Sequence, residues 1–220
     1  AAFLGIYYQG VWSFSGIYVG FVLIPLLELI SPRPADNYTS EEESKKAVSG
    51  FFDGLLYLNV PILYGLIAYY FSTLQAGGLA TYEIAGMTCS VGLIVGTIGI
   101  NVAHELGHRP APYEQALSKM LLLPALYMHF NIEHNRGHHK NVATEEDPAS
   151  ARYGEPVYAF WLRSVSGGYR NAWQLEGQRL ERRNKSFWSW DNEMVRFTFF
   201  GVAYLLAVGF FYGWWMTGYA

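Results

Sequence analysis

The chain is 220 residues long, 51% hydrophobic, 17% aromatic and 15% charged, where an average soluble protein carries roughly 25% charged residues. That balance marks a membrane chain, and a net charge of −3 offers no basic excess to follow a phosphate backbone, which argues against nucleic acid as a partner. The single cysteine, Cys89, excludes an internal disulfide and any CxxC pair, so a metal would have to be held by imidazole and carboxylate.

In chain order, Ala1 to Tyr8 is apolar, lacks the basic n-region of a signal peptide, and reads as the tail of a hydrophobic segment in which the chain begins. Crossing a bilayer takes roughly 20 mainly apolar residues, and four segments meet or approach that length: Val11 to Ile30, Phe51 to Phe71, Ile84 to Ala103 and Phe197 to Thr217. Between the first two, Pro32, Pro34, Asp36 and Asn37 break structure, and Ser40 placed before Glu43 is a capping-box pattern that starts a helix near Glu41. All 15 Lys and Arg residues fall in Arg33 to Lys46 or Arg109 to Arg196, and the connection from Ser72 to Glu83 has none. The positive-inside rule then puts both basic stretches in the cytoplasm. Phe187-Trp188-Ser189-Trp190 supplies an aromatic belt ahead of the last span. The expected fold is all-α, a polytopic transmembrane helical bundle with a cytoplasmic cap, forming one membrane-embedded domain over residues 1–220.

Five of the six histidines lie in two clusters, His104-Glu105-Leu106-Gly107-His108 and Glu133-His134-Asn135-Arg136-Gly137-His138-His139. On a helix, residues i and i+4 share a face, so His104 and His108 can address one ion; His134 and His138 repeat the spacing with His139 beside them. So many imidazoles exceed one tetrahedral zinc and suit two redox ions. Glu105 has three readings: metal ligand, general base, or acceptor that orients a ligating imidazole, of which the last is preferred. His129 stands alone and reads as a hydrogen-bonded helix histidine. Asp147-Pro148 fits the N-cap and N1 of a helix through Ala149, Ser150 and Ala151, and equally a role for Asp147 in steering a histidine. Glu145 and Glu146 read as solvated surface, and Arg182 and Arg183 as residues facing headgroups or water, or a docking surface for an acidic carrier.

Taken alone, His104 to His108 is the HExxH of an intramembrane zinc metalloprotease, with Glu105 activating water. Arg109-Pro110-Ala111-Pro112 ends that helix and leaves His134, His138 and His139 without a role in such a site. The combination HELGHRP followed by EHNRGHHKNVATEEDPASARYGE resembles the membrane-bound alkane monooxygenases of the integral-membrane desaturase and hydroxylase superfamily. Arg163-Ser164-Val165, Ala172 to Glu176 and Phe187-Trp188-Ser189 extend the likeness. The resemblance implies a non-haem diiron enzyme in the bacterial inner membrane, with His104, His108, His134, His138 and His139 on iron. It would hydroxylate the terminal methyl of medium-chain alkanes with O2, taking electrons from rubredoxin and an NADH-dependent rubredoxin reductase. A related enzyme acting on methylated aromatics or fatty acyl chains is the alternative. The family pattern also has a third histidine box after a further span, so the chain reads as truncated at both ends, with the remaining ligands outside it.

Overall fold

The computed structural model describes residues 1–31 and 50–220, and no strand occurs among the described residues. The capping-box helix expected near Glu41 lies outside them. The helices are α1 (Ala2–Tyr8), α2 (Gly10–Ile30), α3 (Gly50–Ala76), α4 (Thr81–His108), α5 (Pro112–Leu122), α6 (130–141), α7 (Val157–Glu181) and α8 (Glu193–Tyr212). Four of them, α2, α3, α4 and α8, are long and apolar enough to cross a bilayer. Only 11% to 28% of their most apolar windows is covered by protein. Side chains such as Phe21, Leu29, Ile62, Phe199 and Phe210 therefore face outward, where lipid rather than water is the favourable neighbour.

Two boundaries differ from the sequence expectation in ways that matter. The third span does not stop at Ala103: no breaker occurs before Arg109-Pro110, so the helix runs on to His108 and carries the first cluster on its own last turns. The fourth starts at Glu193 and ends at Tyr212, where Gly213 turns the backbone at φ 106° into the short 3-10 turn Trp214–Gly218.

The chain forms two compact units, Ala1–Val102 with Gly209–Tyr219, and Ala103–Val208. In the first, α3 buries Leu63, Leu66, Tyr70, Phe71 and Leu74, and α4 buries Met87 and Val91. Small residues let α2 and α4 meet closely: a Cβ on Gly16 would lie 2.8 Å from Ser90 Cα, and one on Gly86 would lie 2.8 Å from the Phe14 ring. Ser90 Oγ uses this proximity, donating to Ser13 O at 2.7 Å and accepting from Gly16 N–H at 3.1 Å. Glu83 binds the N–H of Ala80 and of Gly10, closing the N-terminal end of α4.

The second unit is built around Leu106, Leu121, Leu122, Ile132, Ala172, Leu180 and Met194, each at most 1% exposed. Pro112 occupies the first position of α5, as the Pro110–Pro112 break predicts. Trp188 and Trp190 are exposed just before α8.

Candidate metal centre

His104 and His108 lie four residues apart on the last turns of α4, with Nε2 atoms 3.1 Å from each other. Burial of Ala103 and Leu106 on the opposite face fixes the rotation of those turns. Gly107 admits α6 alongside: a Cβ there would lie 2.6 Å from Asn131 Oδ1. Ser118 of α5 donates to the Ala103 carbonyl at 2.6 Å and also meets Asn131 at 3.1 to 3.2 Å, so polar groups seal this junction.

The second cluster departs from the expected i,i+4 pairing. Residues His134–His138 form a π-helical turn inside α6, and its wider winding brings positions i and i+5 to one face. His134 and His139 therefore point their Nε2 atoms at each other at 3.0 Å, and His134 Nε2 also lies 3.2 Å from His108 Nε2. His138 is turned so that its Nδ1 meets Asp147 Oδ2 at 2.8 Å. Phe130 stacks on the His134 ring with centroids 4.8 Å apart and planes inclined by 15°.

Four Nε2 atoms thus form a chain of contacts at 3.0 to 3.2 Å. A neutral imidazole nitrogen offers one in-plane hydrogen or one lone pair, so Nε2 of His108, with two such neighbours, cannot satisfy both by hydrogen bonds; neither can that of His134. Nitrogens bound to one ion at about 2.1 Å stand roughly 3.0 to 3.4 Å apart, so the donor set fits a cation. Among the described residues, His104, His108 and His134 place their ligand atoms within 4.8 Å of one another. Burial, then the adjacent imidazoles, holds the His134 pKa down at about 4, which keeps its nitrogen free for a metal at neutral pH.

Asp147 resolves the two readings left open by the sequence. It does not begin a helix: Ala149 to Ala151 lie in turn, bend and irregular backbone. Its Oδ1 accepts the Ala149 N–H at 2.9 Å, while Oδ2 accepts from Ser150 Oγ at 2.5 Å and from the His138 ring. Burial works to raise its pKa, but the bonds from Ser150, Ala149 and His138 hold it below the usual value. Asp147 therefore fixes the His138 tautomer with Nδ1 protonated and Nε2 bearing the lone pair. The loop that carries it is pinned by Arg163, which donates to Glu155 at 2.6 and 2.7 Å and to the carbonyls of Pro148 and Ser150 at 3.1 and 2.9 Å. Glu105 is half exposed, and its Oε1 receives Arg109 at 3.4 Å. Glu145 and Glu146 are exposed, as are Arg182 and Arg183.

A buried carboxylate holds the π turn from behind. Glu176 of α7, 0% exposed, accepts from Arg136 at 2.5 Å, from Arg179 at 2.7 and 2.8 Å, and from the Glu193 N–H at 2.8 Å. Arg136 also reaches Glu193 at 2.8 Å, and Lys119 reaches the same carboxylate at 3.0 Å. A polar cavity of about 440 Å³, lined by His108, Asn131, Asn135, Lys119, Arg136 and Glu193, opens beside the cluster. Sequence reasoning named neither Arg163 nor Glu176 as site residues, although both lie in the stretches that carry the family likeness; what was missing was which buried charge each would meet. His129 also differs from expectation, since its buried Nε2 has no hydrogen-bond partner.

The chain is 34% identical to the alkane 1-monooxygenase of Pseudomonas putida over 94% of its length and 57% of that protein. It is 37% identical to alkane 1-monooxygenase 1 of Alcanivorax borkumensis, over 94% of the chain and 55% of the relative. The xylene/toluene monooxygenase hydroxylase component of Pseudomonas putida is 27% identical over 93% of the chain and 53% of its own length. The chain spans about half the length of the curated relatives it matches. The fatty acid desaturase family model matches residues 80–220, a stretch that holds both histidine clusters, Asp147 and Glu176, and the chain belongs to that family of multi-pass membrane proteins.

Proposed function

We propose that the chain is the part of a non-haem diiron membrane hydroxylase that supplies His104, His108, His134, His138 and His139 to iron. The convergence of four imidazole Nε2 atoms at 3.0 to 3.2 Å carries this reading. The reaction is insertion of one oxygen atom into the terminal methyl of a medium-chain alkane: RCH3 + O2 + 2e⁻ + 2H⁺ gives RCH2OH + H2O. Iron, when bound, supplies the activation of O2.

The residues of this chain do the rest. Asp147 orients His138, and Arg163 holds the loop that carries Asp147. Arg136, anchored on Glu176 and Glu193, keeps the π turn in register. The polar cavity beside His108 gives water and protons a route to the cluster, while apolar spans receive a substrate that partitions into lipid. Five imidazoles do not saturate two irons, and the remaining ligands are placed outside these 220 residues. Electrons come from rubredoxin and an NADH-dependent rubredoxin reductase, docking on the cytoplasmic basic face that includes the exposed Arg182 and Arg183.

The test is product analysis under ¹⁸O2 with the full-length protein, NADH, rubredoxin and its reductase, using octane, xylene and a fatty acid as separate substrates. The expected result is 1-octanol carrying one ¹⁸O. A benzylic alcohol alone would move the assignment to methylated aromatics, the chemistry named for the xylene/toluene relative. Desaturated acid alone would overturn it.

A further inference from the structure

His129 is the one histidine outside the cluster. It is 8% exposed, and its Nε2 is buried without a hydrogen-bond partner. The ring sits edge-on between Tyr127, with centroids 4.7 Å apart, and Tyr169, at 5.1 Å. Contacts with aromatic faces are a weak substitute for a hydrogen bond, and an unpaired buried polar atom in a native fold calls for a partner.

The ring lines a cavity of about 200 Å³ in the second unit whose other walls are mainly apolar, among them Leu123, Met128, Met194 and Phe197. Thr198 lies there too, but its hydroxyl is committed to the Met194 carbonyl at 2.9 Å. Two of the lining residues, Leu126 and Val202, are 42% and 51% exposed, and Val202 lies on α8, a helix apolar enough to span the bilayer. The cavity therefore opens where a guest arrives from lipid, with His129 on its inner wall.

We propose that this cavity binds a long-chain primary alcohol, its hydroxyl paired with Nε2 of His129 and its chain lying against Met194, Phe197 and Val202. The imidazole is neutral at physiological pH, since burial holds its pKa at about 4. Whichever nitrogen carries the proton, a hydroxyl can pair with Nε2, because it both donates and accepts. An alkane would leave the nitrogen orphaned, and a carboxylate would pay heavily for desolvation beside a neutral ring. Nε2 lies beneath the cavity surface, and the unbranched side chains of Met128 and Met194 are the parts of the wall that can yield to a hydroxyl. The naming of this guest as the product of hydroxylation rests on the proposed function; the pocket itself does not.

Photolabelling tests the site without iron, O2 or turnover. The full-length protein in phosphatidylcholine nanodiscs is exposed to dodecan-1-ol bearing a mid-chain diazirine, or to the matching diazirine alkane, and labelled peptides are mapped. One hydrogen bond corresponds to about a fivefold preference, so the alcohol should label peptides containing Met128, Met194 or Phe197 about fivefold more than the alkane. Excess dodecan-1-ol should compete. His129→Phe should lower alcohol labelling to the alkane level, and His129→Gln should restore part of it. Should His129→Phe fail to fold, Val202→Trp at the exposed mouth must still reduce alcohol labelling to background. Equal labelling by alcohol and alkane, labelling displaced by phosphatidylglycerol but not by dodecan-1-ol, or no labelling of these peptides would each overturn the proposal. A protein that labels as expected but hydroxylates nothing would keep the pocket and reject the reaction.

Discussion

Asp147 and His138 show how much one acceptor oxygen decides. With Oδ2 on Nδ1 at 2.8 Å, the ring presents Nε2 as a lone pair; without the carboxylate, tautomer and orientation are both released. Asp147→Asn should weaken iron retention by about 10- to 100-fold, read as bound iron after dialysis against a graded chelator. His129 sets a second expectation. Its folded pKa is about 4 and the unperturbed value is 6.5, so the unfolded chain takes up the proton first. Its contribution to stability is complete above pH 6.5 and falls as pH drops from 6.5 toward 4, by about 2 kcal/mol at pH 5. The thermal unfolding midpoint of His129→Phe should accordingly vary less between pH 7 and 5 than that of the wild type. A parallel pair of pH curves would refute this account. The histidine cluster was legible residue by residue because histidines are rare and clustered here. The role of Asp147 was only half legible: a DP pair announces a turn as readily as a helix start, and only the fold says which ring the carboxylate meets.

Among the elements, the π turn at His134–His138 is the feature least visible in sequence. The spacing suggested an i,i+4 pair, but the extra residue in the turn exchanges His138 for His139 as the partner of His134. Tertiary contacts account for this choice, because Arg136 is drawn to the buried Glu176 and Gly137 fits tightly against α7. A Cβ at residue 137 would lie 2.6 Å from Asn171 Nδ2 and 2.9 Å from Glu133 Oε1. Gly137→Ala should therefore cost about 1–3 kcal/mol through overpacking and lower iron occupancy. Gly65→Ala on α3, where a Cβ meets nothing within 4 Å, should leave both unchanged. Thermal unfolding with metal analysis on the two variants separates the cases, and equal effects would show that the crowding at Gly137 does not govern the turn. The spans themselves were legible because lipid demands long apolar runs. Their ends were less so, since α4 continues through polar His104 and His108 until Pro110 halts it.

For the whole molecule, the four apolar helices and the distribution of Lys and Arg predict a sidedness that can be measured. With Cys89 replaced by Ser, a cysteine at Ala80 should react with a membrane-impermeant maleimide on intact spheroplasts, and one at Asn184 only after permeabilisation. The reverse pattern would invert the topology. Sidedness matters because the electron donor proposed above would have to reach the histidine clusters from their own side of the membrane. Everything proposed about function depends on what the converging imidazoles hold. The most direct test is the metal content of the purified full-length protein, wild type against His134→Ala. Two irons per chain in the wild type, largely lost in the variant, is the predicted result; a single zinc with no iron, or iron unaffected by removing His134, would contradict the account.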